Sequence, residues 1–143
     1  MNSGVYCLVL RLKTSTKIKV GKLGIFDFPA GYYIYTGSAK NSLNARIARH
    51  LRKEKNKHWH IDYFVEKAKI VAIFKTDKFG ECELNKRIFE IGNCQAIARG
   101  FGSSDCKCES HLAYIQEKSG MSKIVKFFKD NGIYEELSGE SYI

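Results

Sequence analysis

Proline is nearly missing from this chain: its 143 residues include one, Pro29. With apolar residues at 44%, that scarcity excludes a disordered or low-complexity chain and leaves an ordinary globular one. No internal repeat is visible. Long apolar runs are lacking too, since Val5–Leu10 is too short for a membrane span or a signal peptide and is flanked like a strand. Cysteine is sparse and odd in number. Cys7, Cys82, Cys94, Cys106 and Cys108 are too unevenly spread for a disulfide framework, so a reduced, cytoplasmic protein with no membrane partner is expected. Acidic residues are outnumbered, 15 against 24 Lys and Arg, for a formal net charge of +9.

What is present reads as one folded unit, long enough to bury about two-thirds of the surface its unfolded form exposes. Gly4–Lys13 alternates Val5, Cys7 and Val9 with Tyr6, Leu8 and Leu10, apolar on both faces, which predicts a central strand. Lys17–Val20 reads as a half-exposed strand, and Leu23–Phe28 as another stopped by Pro29. Tyr32–Thr36, set between Gly31 and Gly37, predicts a strand antiparallel to the first, with Tyr6 and Tyr35 side by side. The pattern then breaks at Gly37-Ser38-Ala39 and restarts as a helix capped by Asn41 or Ser42, with Leu43, Ile47 and Leu51 as its buried stripe. Trp59–Lys67 suggests a short helix, Ile70–Lys75 a strand, and Glu81–Ile91 a helix ending near Gly92-Asn93. Near the end, Met121, Ile124, Val125 and Phe128 form a helical stripe closed by Asn131-Gly132, with Ile133–Leu137 behind it. The class expected is α/β of the α+β type: a small, mainly antiparallel central sheet flanked by helices, with an added C-terminal helix. Residues 1–116 make the domain in this reading. Residues 117–143 are an amphipathic helix and tail that dock on it or cover an interface with a protein partner or a second copy.

Much of the positive charge falls in Lys40–Lys57, where Lys40, Arg46, Arg49, Arg52, Lys53, Lys55 and Lys57 face Glu54 alone. Such an excess suits a polyanion, nucleic acid above all. Arg49, Arg52 and Lys53 are expected to meet phosphates, and Trp59 and His60 to stack on an exposed base. The alternative for that block is core packing of Trp59, with His60 paired to Asp62. Arg46 and His50 lie one turn apart at the rim of the helix's buried stripe, where a core-facing helix needs neither. Hydrolysing a phosphodiester requires an activated water, an offset for phosphate charge and help for the leaving oxygen. Tyr6 and Tyr35 are candidates for the first task, provided nearby cations lower a phenol pKa that starts at about 10. Arg46 suits the second with its planar fork, and His50 could pass protons or hold the water.

These residues carry a resemblance. Gly4-Val5-Tyr6 and Tyr35-Thr36-Gly37, then Ser38-Ala39-Lys40 and the Arg46/His50 pair, resemble the signature of the GIY-YIG nuclease superfamily in the form seen in phage-type homing endonucleases. Within it the chain is most similar to a small stand-alone branch of unknown function, marked by the blocks at Phe28–Tyr33, Trp59–Tyr63 and Phe101–Leu112. The resemblance covers roughly Ser3 to Tyr114. It implies a metal-dependent nuclease, with DNA the preferred substrate, in which Tyr6 is the general base, Arg46 binds the scissile phosphate with His50 beside it, and Ser38 and Lys40 lie along the nucleic acid. It also implies one Glu on a later helix, with Leu three positions on, that holds Mg²⁺ or Mn²⁺. Glu81 with Leu84 fits that register, and Glu83 is the second choice. One carboxylate with waters and substrate oxygens is an ordinary magnesium site in phosphoryl chemistry. The Asn that often follows a proline late in such domains has no counterpart; Ser103-Ser104-Asp105 stands in its region.

A last constellation lies in the Gly/Ser/Asp-rich loop from Gly100. Cys106, Cys108 and His111 are zinc-type ligands, and Cys82, His58 or His60 could be a fourth. The favoured reading is a packed turn of buried thiols, with His111 bonded to a backbone carbonyl. A third use puts Asp105, Ser110 and His111 on the border of the active groove. Two other functions stand beside the nuclease: a non-catalytic nucleic-acid-binding module on the same scaffold, and a zinc-stabilised protein-interaction module.

Overall fold

A computed structural model describes residues 2–53 and 55–137. In chain order the elements are β1 (Gly4–Leu12), β2 (Thr16–Val20), β3 (Gly24–Phe28), β4 (Gly31–Ala39), α1 (Leu43–Leu51), α2 (His60–Val65), β5 (Lys69–Thr76), α3 (Glu81–Gly92), β6 (Leu112–Ile115), α4 (Lys118–Asn131) and β7 (Ile133–Glu136). Five strands form one antiparallel sheet in the order β6-β4-β1-β5-β7, and β2 and β3 make a separate hairpin. This is the α+β class, with β1 central because it is apolar on both faces.

Alternation along β1 divides the core. Tyr6, Leu8, Leu10 and Leu12 point to one side, where Tyr33, Tyr35, Leu43, Ile47, Ile61, Phe64 and Phe101 bury them under α1, α2 and the hairpin. Val5, Cys7 and Val9 point to the other, against Leu84 and Ile88 of α3 and Met121, Ile124 and Phe128 of α4. The two helices meet at closest range where a Cβ on Gly120 would lie 2.6 Å from the Gly92 carbonyl oxygen. Phe74 stacks on Phe128 with ring centroids 4.2 Å apart, so α4 belongs to the core of the second face.

Four local expectations change. β4 does not break at Gly37: the ladder continues to Gly4↔Ala39, because β1 offers partners over the whole length. Ser42 stands at the α1 cap with left-handed backbone (φ 51) and makes no side-chain cap bond; the helix is tied instead by the Leu43 N–H to the Asn2 carbonyl, 2.8 Å. Leu51 is 45% exposed, since α1 ends there and Leu43, Ile47 and His50 take the buried side. β6 was not expected as a strand, and Ile133–Glu136 joins the sheet edge beside β5.

Candidate active cleft and metal-binding group

The register of β1 on β4 pairs Tyr6 with Gly37 and Leu8 with Tyr35, which puts both tyrosines on one face, ring centroids 6.3 Å apart. The Tyr6 ring lies across Gly37, where a Cβ would stand 2.7 Å from the phenol oxygen. Glycine is therefore required there by the approach of another side chain, not by its own backbone angles. The glycine lets the phenol reach α1: Tyr6 Oη and His50 Nε2 are hydrogen-bonded at 2.7 Å. His50 is 1% exposed and its Nδ1 has no hydrogen-bond partner. Burial holds the His50 pKa down to about 4, against the raising pull of Asp62, so its ring is neutral. Burial also raises Tyr6 and Tyr35 well above the ordinary phenol value and outweighs the lowering by Arg46. The expected acidification by cations is thus absent; the low dielectric wins.

Arg46, Ser38 and Glu81 form the open side of the cleft, all half-buried. Arg46 Nη1 donates to the Ser38 carbonyl, 3.0 Å, and its guanidinium lies over the Trp59 ring at 4.7 Å. The Ser38 hydroxyl donates to Glu81 Oε1. One residue of β4 thus joins the arginine of α1, through its backbone, to the carboxylate that opens α3, through its side chain. Glu81 would be raised by burial, but hydrogen bonds from His111 and Ser38 and the charges of His111 and Arg46 hold it below the usual carboxylate value. Glu83 is exposed on the same helical turn and meets none of these groups. Tyr6, Tyr35, Arg46, His50 and Glu81 therefore lie together.

The residues expected to contact nucleic acid divide. Lys40, Arg52 and Lys53 are exposed. A cavity of about 640 Å³ opens beside His50, with Arg52, Lys53, Lys55 and Lys57 in its lining. Arg49 serves the fold: its two terminal nitrogens bond both oxygens of Asp62 at 2.9 and 3.0 Å, and Nη2 also reaches the Asn56 carbonyl. Asp62 takes the backbone N–H groups of His58 and Trp59 as well, and this bonding replaces the expected pairing with His60. Arg49 also lies 4.4 Å from the Trp59 ring centroid, so Trp59 is shared between two guanidinium groups. His60 Nδ1 accepts the Gly102 N–H at 2.8 Å and its ring packs on Phe101, which makes it a tether for the 93–111 loop. Lys55 caps the end of α1 through the His50 and Arg52 carbonyls.

That loop carries the second group. Cys82 follows Glu81 on α3, and Cys106, Cys108 and His111 arrive from the loop; the four ligand atoms all lie within 4.8 Å of one another, a set able to hold a metal ion. His58 and His60 do not join it. Cys82 is exposed and Cys106 and Cys108 are half-buried, so the expected turn of buried thiols is not what forms. His111 is fully buried and two-sided: Nδ1 faces Glu81 Oε2 and the Thr36 carbonyl, each at 3.0 Å, while Nε2 faces Cys106 Sγ at 3.3 Å and Cys82 Sγ at 3.9 Å. Burial would lower its pKa, but the bonds to Glu81 and Thr36 and the contact with Cys108 hold it up to about 10. Hydrogen bonding to Cys108, burial and Cys106 push the Cys82 thiol up to about 12. Ser110 turns inward to the Leu112 backbone and Asp105 stays exposed, so of that trio only His111 borders the cleft. The part least visible in the sequence is the junction made by Ser38 and His111, because both joints form between residues far apart along the chain.

An α+β domain with a tyrosine–histidine–arginine–glutamate cleft and an adjoining Cys₃His group is the class that fold and site define. The chain belongs to the family described as Domain of unknown function DUF123, whose model matches residues 5–132. No curated protein and no solved structure matches it.

Proposed function

We propose that this protein is a metal-dependent phosphodiesterase of the GIY-YIG type acting on nucleic acid, DNA first. The observation that carries the reading is the Tyr6–His50 hydrogen bond at 2.7 Å beside an arginine and an ionised carboxylate that share Ser38. His50 is the proton acceptor: as a water attacks phosphorus, its proton passes to the Tyr6 oxygen while the Tyr6 proton passes to neutral Nε2. A low-pKa phenol is then unnecessary, which suits the raised Tyr6. Arg46 offsets the charge growing on the phosphate oxygens. Glu81 suits Mg²⁺ or Mn²⁺, since it is ionised and part-exposed, and only two of its roughly four lone-pair positions are engaged. A divalent cation there supplies Lewis-acid stabilisation of the phosphate and leaving oxygen. Soft thiolates select zinc instead, so the Cys₃His group suits a different ion. Arg52 and Lys53, exposed by the basic cavity, hold the strand's phosphates.

The near-complete burial of Tyr6 and His50 favours a second reading, a binding module that keeps the scaffold without the reaction. Labelled DNA and RNA panels (single-stranded, duplex, flap and bubble), incubated with Mg²⁺, Mn²⁺ or chelator, decide between them. The expected result is metal-dependent cleavage that falls about 10²–10⁴-fold in Tyr6→Phe and is abolished in Glu81→Ala and Arg46→Ala. Salt-sensitive binding with no cleavage of any substrate would establish the binding module.

A further inference from the structure

We infer that Cys82, Cys106, Cys108 and His111 form a zinc centre, and that His111 ties this centre to Glu81 through its second ring nitrogen. Three independent features of the geometry support the site. The first is donor chemistry: three sulfurs and one imidazole nitrogen form the Cys₃His set of closed, four-coordinate zinc sites. The second is spacing. Tetrahedral zinc, with bonds of about 2.3 Å to sulfur and 2.0–2.1 Å to nitrogen, sets sulfur–nitrogen separations of about 3.6 Å and sulfur–sulfur separations of about 3.8 Å. The distances of 3.3 and 3.9 Å from His111 Nε2 to Cys106 and Cys82 bracket the first value, and the whole set closes within 4.8 Å.

The third is the histidine tautomer, assigned from its partners. Both groups facing Nδ1, the Glu81 carboxylate and the Thr36 carbonyl, are acceptors without a proton to give. Nδ1 must therefore carry a hydrogen whatever the charge of the ring, and a metal ion would take the place of the second proton, on Nε2, the nitrogen that faces the sulfurs. A metal-bound histidine that donates its other N–H to a carboxylate or carbonyl is the usual support for such sites. Here both kinds of acceptor are present at once.

The position in the fold gives the centre its task. Residues 93–111 connect α3 to β6 without helix or strand of their own, longer than the 12–15 or so residues at which such connections become uncommon. Cys82 stands in the first turn of α3, so an ion held there fastens the far end of that loop to the start of the helix. The same ion fixes His111, and His111 fixes one oxygen of Glu81. The zinc assignment stands without the nuclease reading; only the consequence for catalysis rests on it.

The test uses the full chain purified under reducing conditions without chelator. Expected are one zinc per chain by elemental analysis and, after exchange into Co²⁺, the thiolate charge-transfer band and intense visible bands of a tetrahedral sulfur-rich site. Both signals fall in Cys108→Ser and stay in Cys94→Ser. Glu81→Gln keeps the cobalt spectrum but binds zinc about 10–100-fold more weakly, as loss of a ligand's supporting hydrogen bond does. Metal-free protein that neither takes up zinc nor shows the cobalt bands would overturn the centre, as would a disulfide among the three cysteines. Unchanged zinc affinity in Glu81→Gln would overturn the tie to the cleft. One zinc per chain in a wild type that cleaves no substrate would be failure of the nuclease reading alone, and metal-dependent cleavage by a chain that takes up no zinc would be failure of this one alone.

Discussion

His50 shows how one burial decides both chemistry and stability. In the folded chain its ring stays neutral down to about pH 4, while unfolded histidine takes a proton at about 6.5. Between those values the unfolded state binds a proton that the native state refuses, so stability falls as pH falls. The wild type is expected to lose about 2 kcal/mol between pH 7 and pH 5 that a His50→Asn variant does not lose. Urea unfolding of both proteins at the two pH values checks this; equal losses would mean the ring is charged in the fold. The His50 position was legible in part. Its four-residue spacing from Arg46 marks a shared helix edge, but helical spacing does not say that Tyr6, 44 positions earlier in the chain, closes over it. Nor does spacing reveal that burial raises the two phenols, because local cations are visible in a sequence and local dielectric is not.

Between elements, α1 and α2 are joined by the doubly bonded Arg49–Asp62 pair, whose side chains are 20% and 0% exposed. Removing one partner of such a buried pair leaves the other charge without compensation, and Arg49→Met is expected to cost about 3–5 kcal/mol in chemical denaturation. The exposed neighbours behave otherwise. On the proposed function, Arg52→Ala and Lys53→Ala are expected to leave stability unchanged but to weaken nucleic-acid binding, each lowering the salt slope by about one for every phosphate it no longer neutralises. Binding titrations across a salt series separate the two classes; a stability loss confined to Lys53→Ala would reverse the assignment. Composition made the basic stretch plain but could not sort its members, because structural and solvated arginines look alike until Asp62 is placed. Strands were legible where an unbroken apolar run buries both faces, as in β1 and β5. The four residues of β6 were not, since they follow a loop whose Cys and His residues dominate the pattern.

Across the whole molecule, α4 and β7 close what α3 leaves open. Met121, Ile124, Val125 and Phe128 are all buried on the second face of the sheet, and β7 pairs with β5 at its edge. A chain ending after Gln116 would expose Val71 and Phe74 to water, and it is expected to lose its cooperative thermal transition. A sharp transition in calorimetry for that shortened chain would show that residues 2–116 fold alone. The amphipathic stripe predicted the helix but not its partner, because an apolar face at helical spacing suits a core, a dimer or a bound protein equally.

The central place of β1 also has a consequence for biosynthesis. A ribosome completes this strand before either neighbour in the sheet exists; β4 follows soon after, and β5 only once α1, α2 and their connections have been made. A nascent segment apolar on both faces thus waits while most of the sheet is translated. Such distant pairings fold slowly, on the order of milliseconds to seconds, and exposed unpaired strands are prone to association meanwhile. Yield in the cell should therefore depend on translation rate and on chaperones that shield short apolar strands, more than on the equilibrium stability of the finished domain.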